Sequence, residues 1–138
     1  MTFLLDTNVL SETRKVRRDA GVTRWIRSTP PERVHLSVIT VGEIVRGITK
    51  LRKRRDHRQV ELFETWLSDV IDAFGGRIVP VTLDVATGWG ALSGRTISDP
   101  DALIAATAKA HGWTVVTRNV RDFEPTGVAC LNPFSGEV

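Results

Sequence analysis

At 138 residues and 41% hydrophobic content, the chain can bury one sizeable core but is too short for two ordinary domains, so a single domain over 1–138 is expected. Lys and Arg number 19 against 16 Asp and Glu, and the net charge of +3 with a pI of 9.6 leans towards a polyanionic partner. One cysteine, Cys130, excludes an internal disulfide, and three scattered histidines (His35, His57, His111) exclude a thiolate or imidazole zinc cluster, which fits a reducing cytoplasm. No apolar run approaches the roughly 20 residues that cross a bilayer, and neither a membrane anchor nor a signal peptide is expected.

Phe3 to Leu5 read as a short buried strand ending at Asp6. Val9-Leu10 and Trp25-Ile26 fall in two short helical patterns separated by the basic stretch Arg14 to Arg18, and Pro30-Pro31 stops the second. Val34 to Ser37 form the next strand and lead into a long helix from about Ile39 to about Lys53. Val60, Phe63, Leu67, Val70, Ile71 and Phe74 recur at spacings of three and four, predicting an amphipathic helix over 57–74 that ends at Gly75-Gly76. Ile78 to Val81 give a third strand and Val85 to Leu92 a helix. Pro100 opens an Ala-rich helix closed by Gly112, Thr114 to Thr117 form a fourth strand, and Val128 to Leu131 a short fifth. Strands alternating with helices predict an α/β fold: a mainly parallel sheet of four to five strands with helices on both faces.

The chemistry concentrates where strands end. Asp6 stands at the C-terminal edge of the first strand, where open α/β sheets place their ligands, although a simple helix cap reads equally well. Asp101 shares a helix face with Ile104, Ala105 and Ala108, where an unpaired carboxylate is costly and a cation would remove the cost. The alternative makes Asp99 the N-cap and Asp101 a first-turn acid favoured by the helix dipole. Glu43 lies roughly opposite the stripe Val41, Ile44, Val45, Ile48 and Leu51, so spacing alone puts it in solvent, paired with Arg46. Thr117-Arg118-Asn119 and Asp122 follow the fourth strand, and Asp122 reads either as a ligand or as a turn residue.

Four motifs in order carry a family resemblance that spans essentially the whole chain: Leu5-Asp6-Thr7-Asn8, Ser37 to Ile44, Asp101 to Ala108, and Thr117-Arg118-Asn119 with Asp122-Phe123. Together they resemble the PIN domain, and more narrowly the VapC toxins of bacterial and archaeal toxin–antitoxin pairs, including the FitB-like branch. The resemblance implies a three-layer fold around a parallel sheet. It also implies Asp6, Glu43 and Asp101 as central metal-binding acids, with Asp122 or Asp99 as a fourth, and Thr7, Asn8, Thr117 and Asn119 lining the site. It further implies a homodimer and a cognate VapB-like antitoxin through which alone the chain would meet DNA.

Converging carboxylates repel one another, and a divalent cation resolves the conflict. Oxygen ligands without Cys or His favour Mg²⁺ or Mn²⁺, which can ionise a water for attack on an RNA phosphodiester. Arg52, Lys53, Arg54 and Arg55 form the densest basic run, and Arg46 follows Glu43 by one helical turn. Both read as RNA phosphate contacts or as ordinary solvated surface. The four tryptophans, Trp25, Trp66, Trp89 and Trp113, read as core or interface. Two other function classes compete. A phosphatase of the haloacid dehalogenase type would use Asp6 as nucleophile but expects a second Asp where Asn8 stands. A mainly non-catalytic partner of a DNA-binding antitoxin would use the acidic pocket for assembly.

Overall fold

The computed structural model describes residues 1–92 and 97–135. Among them, five strands form one parallel sheet: β1 (Phe3–Leu5), β2 (Val34–Ser37), β3 (Ile78–Val79), β4 (Thr114–Val116) and β5 (Cys130–Leu131), in the order β3-β2-β1-β4-β5. Successive strands run outward from β1 to β2 to β3, then the chain returns to place β4 on the other flank of β1. The strand order therefore reverses between β1 and β4, the position where open α/β sheets leave a crevice beyond their C-terminal edge.

The alternation of β1 decides the layers. Phe3 and Leu5 face one side and pack with α1 (Thr7–Glu12), α2 (Ala20–Ser28), α3 (Val38–Lys53) and α4 (His57–Phe74), through Val9, Leu10, Val22, Ile44, Ile48, Val60, Leu67 and Val70. Leu4 faces the other side and packs with α5 (Leu83–Ala91), α6 (Asp99–His111) and α7 (Val120–Phe123), through Val85, Ile104, Ala105, Ala108 and Phe123. Leu4 is wholly buried, as a central strand covered on both faces requires. The small side chains of α6 let that helix lie close to the sheet, and Gly112 ends it in the left-handed conformation at φ 71°.

Several boundaries differ from the sequence reading for local reasons. The third strand stops at Val79, because Pro80 has no amide to continue the ladder. Helix α5 starts at Leu83 rather than Val85, since the Thr82 hydroxyl caps it by accepting from the Val85 amide at 3.2 Å. The cap of α6 is Ser98, whose hydroxyl accepts from the Asp101 amide at 3.3 Å; Asp99 is already inside the first turn and exposed. Asp122 is not a turn residue but sits in the single turn of α7. The basic run is a tight connection between α3 and α4, with Arg55 in the left-handed conformation at φ 59° and Asp56 capping α4.

Candidate acidic site at the strand ends

Asp6 leaves β1 at its C-terminal edge and its side chain is only 5% exposed. The carboxylate is held by neutral donors: the Thr7 amide on Oδ1 at 2.8 Å, and on Oδ2 the Thr117 hydroxyl at 2.8 Å and the Asn8 amide group at 3.2 Å. Asp6 therefore does cap α1, and the capping interaction leaves it inside the crevice between β1 and β4. Thr117, wholly buried just past β4, also accepts from the Asn119 amide at 3.0 Å and the Asn8 amide group at 3.4 Å. Asn8 completes the lattice by accepting from the Arg118 amide at 3.1 Å. These bonds fasten the loop after β4 to the start of α1 across the switch point.

Glu43 corrects its sequence reading. The buried stripe of α3 runs through Thr40, Ile44 and Ile48, with Val41 and Leu51 packed beside it, whereas Val45 is 47% exposed. Replacing Val45 by Thr40 rotates the stripe, so Glu43 flanks the core instead of opposing it. It is half-buried, and the Thr7 hydroxyl donates to its Oε1 at 2.8 Å. Arg46, Arg52, Lys53, Arg54 and Arg55 are all exposed, and Arg52 pairs with Glu64 at 3.3 Å.

Electrostatics ties the acids together. Burial pushes the Asp6 carboxyl above its ordinary range, and the fields of Glu43 and Asp122 push it further, against the lowering effect of the Thr117 and Thr7 bonds. Asp101, half-buried at the start of α6, is raised by burial and by the charges of Asp6 and Asp122. Of the two candidate fourth acids, Asp122 has a charge that reaches both Asp6 and Asp101. As their side chains stand, no group of three or more His, Cys, Asp or Glu residues among the described residues converges tightly enough to grip an ion. The donor chemistry nevertheless fits a hard divalent cation: oxygen atoms only, with a buried carboxylate surrounded by neutral donors and like charges. Sequence reasoning missed Ser98, which fixes the Asp101 backbone; a hydroxyl two residues before Pro100 was the available signal.

A parallel sheet with a buried Asp6 at its switch point, within reach of the charges of Glu43 and Asp122, and with Asp101 within reach of Asp6 and Asp122, defines an open α/β domain with acids at its strand-end crevice. The chain belongs to the PIN-domain family, whose model matches residues 3–127. It is 38% identical over 141 aligned residues to VapC ribonuclease Y4jK of Sinorhizobium fredii, covering 96% of this chain and 97% of that one. Its fold matches the structure of FitAcB from Neisseria gonorrhoeae with a TM-score of 0.77 and 35% identity, over 96% of this chain and 98% of the other. A toxin–antitoxin complex from Klebsiella pneumoniae matches with a TM-score of 0.64 and 26% identity, over 96% and 98%.

Proposed function

We propose that this protein is a Mg²⁺- or Mn²⁺-dependent endoribonuclease toxin, silenced by a cognate antitoxin. The observation that carries the reading is Asp6: a buried carboxyl, raised by burial and by neighbouring acids, at the sheet's switch point. Such a group is tolerable at neutral pH when a cation shares its pocket. Asp6, Glu43 and Asp101 would hold the ion with Asp122 in support, and side-chain rotation of Glu43, Asp101 and Asp122 would close the set. A bound Mg²⁺ or Mn²⁺ would supply charge neutralisation at the phosphate and a water ionised at neutral pH.

The chain's own residues do the positioning. Thr117 and Asn8 fix one oxygen of Asp6, the Thr7 amide fixes the other, and the Thr7 hydroxyl orients Glu43, so two acids share one small anchor at the start of α1. Arg46, one turn beyond Glu43, and the run Arg52 to Arg55 would meet RNA phosphates along the strand.

An antitoxin partner is supported by the named relatives and by a cleft of about 440 Å³ against α2 and α4, lined by Leu10, Trp25, Ile26, Trp66, Val70 and Phe74. Trp25 and Trp66 are thus interface candidates as well as core neighbours. Exposed Val45 and Ile71 on α3 and α4 support a homodimer. Contact with DNA would come through the antitoxin alone. No helix among the described residues is long and apolar enough to cross a membrane, which is compatible with a cytoplasmic place of action.

The test is incubation of antitoxin-free protein with total cellular RNA in Mg²⁺, Mn²⁺ or EDTA, beside folded Asp6→Asn and Asp101→Asn variants. Discrete fragments that require metal, and a loss of at least about 10²-fold in either variant, are expected. The apolar cleft favours one second reading, a mainly non-catalytic partner of a DNA-binding antitoxin. Absence of cleavage in every metal, from protein that still binds its antitoxin, would select it.

A further inference from the structure

Positive charge is concentrated around α2. Residues 14–27 carry six cations, Arg14, Lys15, Arg17, Arg18, Arg24 and Arg27, against one acid, Asp19, so the remainder of the chain, with 13 cations and 15 acids, is net negative. The two acids nearest this stretch are turned inward. Glu12 is buried, accepts from the Asp19 amide at 2.9 Å and pairs with Lys15 at 2.9 Å. The Asp19 carboxylate accepts from the Val22 amide at 3.0 Å, and from the Ser135 amide and hydroxyl at 2.9 and 2.7 Å.

Some of the cations are engaged as well. Arg14 lies over the Phe63 ring at 4.4 Å, and Arg18 donates from Nε to the Lys15 carbonyl at 3.2 Å. Arg24 and Arg27 are exposed, and among the described residues neither pairs with a carboxylate. Together with Arg18, Ala20, Thr23 and Ser28 they line an open groove of about 630 Å³ on α2. Positions 20, 23, 24 and 27 share one helix face, whereas Val22 is buried in the core and Trp25 and Ile26 line the apolar cleft.

The parallel sheet fixes where this groove begins. All five strands end at one edge, the edge of Asp6, and Pro133 and Ser135 follow β5 there. Gly21 lies directly against them: a Cβ would collide with the Pro133 carbonyl oxygen and the Ser135 amide nitrogen, both backbone atoms. Helix α2 thus starts beside the edge that carries the acids and runs away from it, because β2 must begin at the opposite edge. At about 1.5 Å rise per residue, Arg24 and Arg27 stand roughly 6 and 10 Å along α2 from Ala20.

We propose that this face of α2 is a track for the sugar-phosphate backbone of RNA, gripped by Arg24 and Arg27 with Arg18 at its head. The inference rests on the ribonuclease reading for its substrate. The groove selects a polyanion over a protein surface: its cations lack counter-charges, and no side chain between them is an aromatic or large apolar anchor of the kind on which protein interfaces centre. Without an aromatic platform or a base-reading amide, the contact is to phosphate and indifferent to sequence. Acids at the crevice repel RNA, and cations along the adjoining helix offset that repulsion by displacing the counterions of the strand.

The test measures binding of a short fluorescein-labelled single-stranded RNA by anisotropy, in EDTA, over a series of salt concentrations, on Asp101→Asn protein. Adding Arg24→Ala with Arg27→Ala should weaken binding at least about tenfold and reduce the slope of log K against log salt by about 1.4, two phosphate contacts on a single strand. Arg24→Lys with Arg27→Lys, which keeps both charges, should retain the slope; melting curves confirm that each protein is folded. Unchanged affinity and slope in the double alanine variant would overturn the inference, as would an equal loss of slope in the double lysine variant. Unchanged RNA binding with loss of binding to labelled poly-L-glutamate would give the face to an acidic protein instead. RNA binding that responds as expected, from a parent protein that cuts nothing in any metal, would sink the ribonuclease reading and leave the RNA track standing. A parent that cuts RNA while the double alanine variant binds it unchanged would do the reverse.

Discussion

Thr117→Val tests the proposition that a single buried hydroxyl organises the acidic site. Valine keeps the volume of threonine and removes the oxygen that donates to Asp6 at 2.8 Å and accepts from the Asn119 amide at 3.0 Å. Thr117 is wholly buried, so no water replaces the donor in place. A hydrogen bond to a charged group contributes about 1.5–3 kcal/mol, and the Asn119 amide, on an exposed residue, recovers much of its loss from solvent. A loss of about 2 kcal/mol follows, which for a chain of this length lowers the melting temperature by about 7 °C. The Thr117 bond also holds the Asp6 carboxyl down against burial, so its removal raises that carboxyl further. Calorimetric titration with Mn²⁺ across pH should then show half-maximal binding moved to higher pH, with Thr117→Ser restoring both properties. An unchanged melting temperature together with unchanged Mn²⁺ binding in Thr117→Val would refute the reasoning.

The raised carboxyls of Asp6 and Asp101 make the metal-free fold bind more protons than the unfolded chain between their ordinary value of 3.8 and their raised values. Stability in EDTA should therefore fall as pH rises through that window and stay reduced above it. Asp101→Asn should melt no lower than the parent in EDTA at neutral pH, whereas saturating Mn²⁺ should stabilise the parent more; calorimetry in both buffers checks the crossover. Arg55 holds a left-handed conformation at φ 59° that glycine adopts freely, at a cost of about 1 kcal/mol. Arg55→Gly should gain about that much stability in urea unfolding, and a shallower salt dependence of RNA binding would show that the cation is retained for phosphate contact.

Local physics made most elements legible from the sequence. The period of apolar residues set α4 as Val60, Leu67 and Val70 face the core, Gly75 and Gly112 ended helices where left-handed backbone was needed, and Phe3 to Leu5 had only a strand's length. The motif acids were legible as types and positions, because strand ends and helix starts are where polar groups meet a buried sheet. What the tertiary structure decided was partnership. Glu43 meets Thr7 across 36 residues and Thr117 meets Asp6 across 111, and no helical or strand period records such separations. The rotation of α3 that brings Glu43 inward depends on Thr40 being buried and Val45 exposed, a choice made by the surfaces packed against that helix. The effect of the Asp122 charge on both Asp6 and Asp101 depends on α7 folding back beside the strand ends, and the contact of Arg118 with Phe134 depends on the chain end near it being tied to Asp19 before α2 through Ser135. Composition and period fix which residues are buried or turn; only the docking of elements fixes which charges share a pocket.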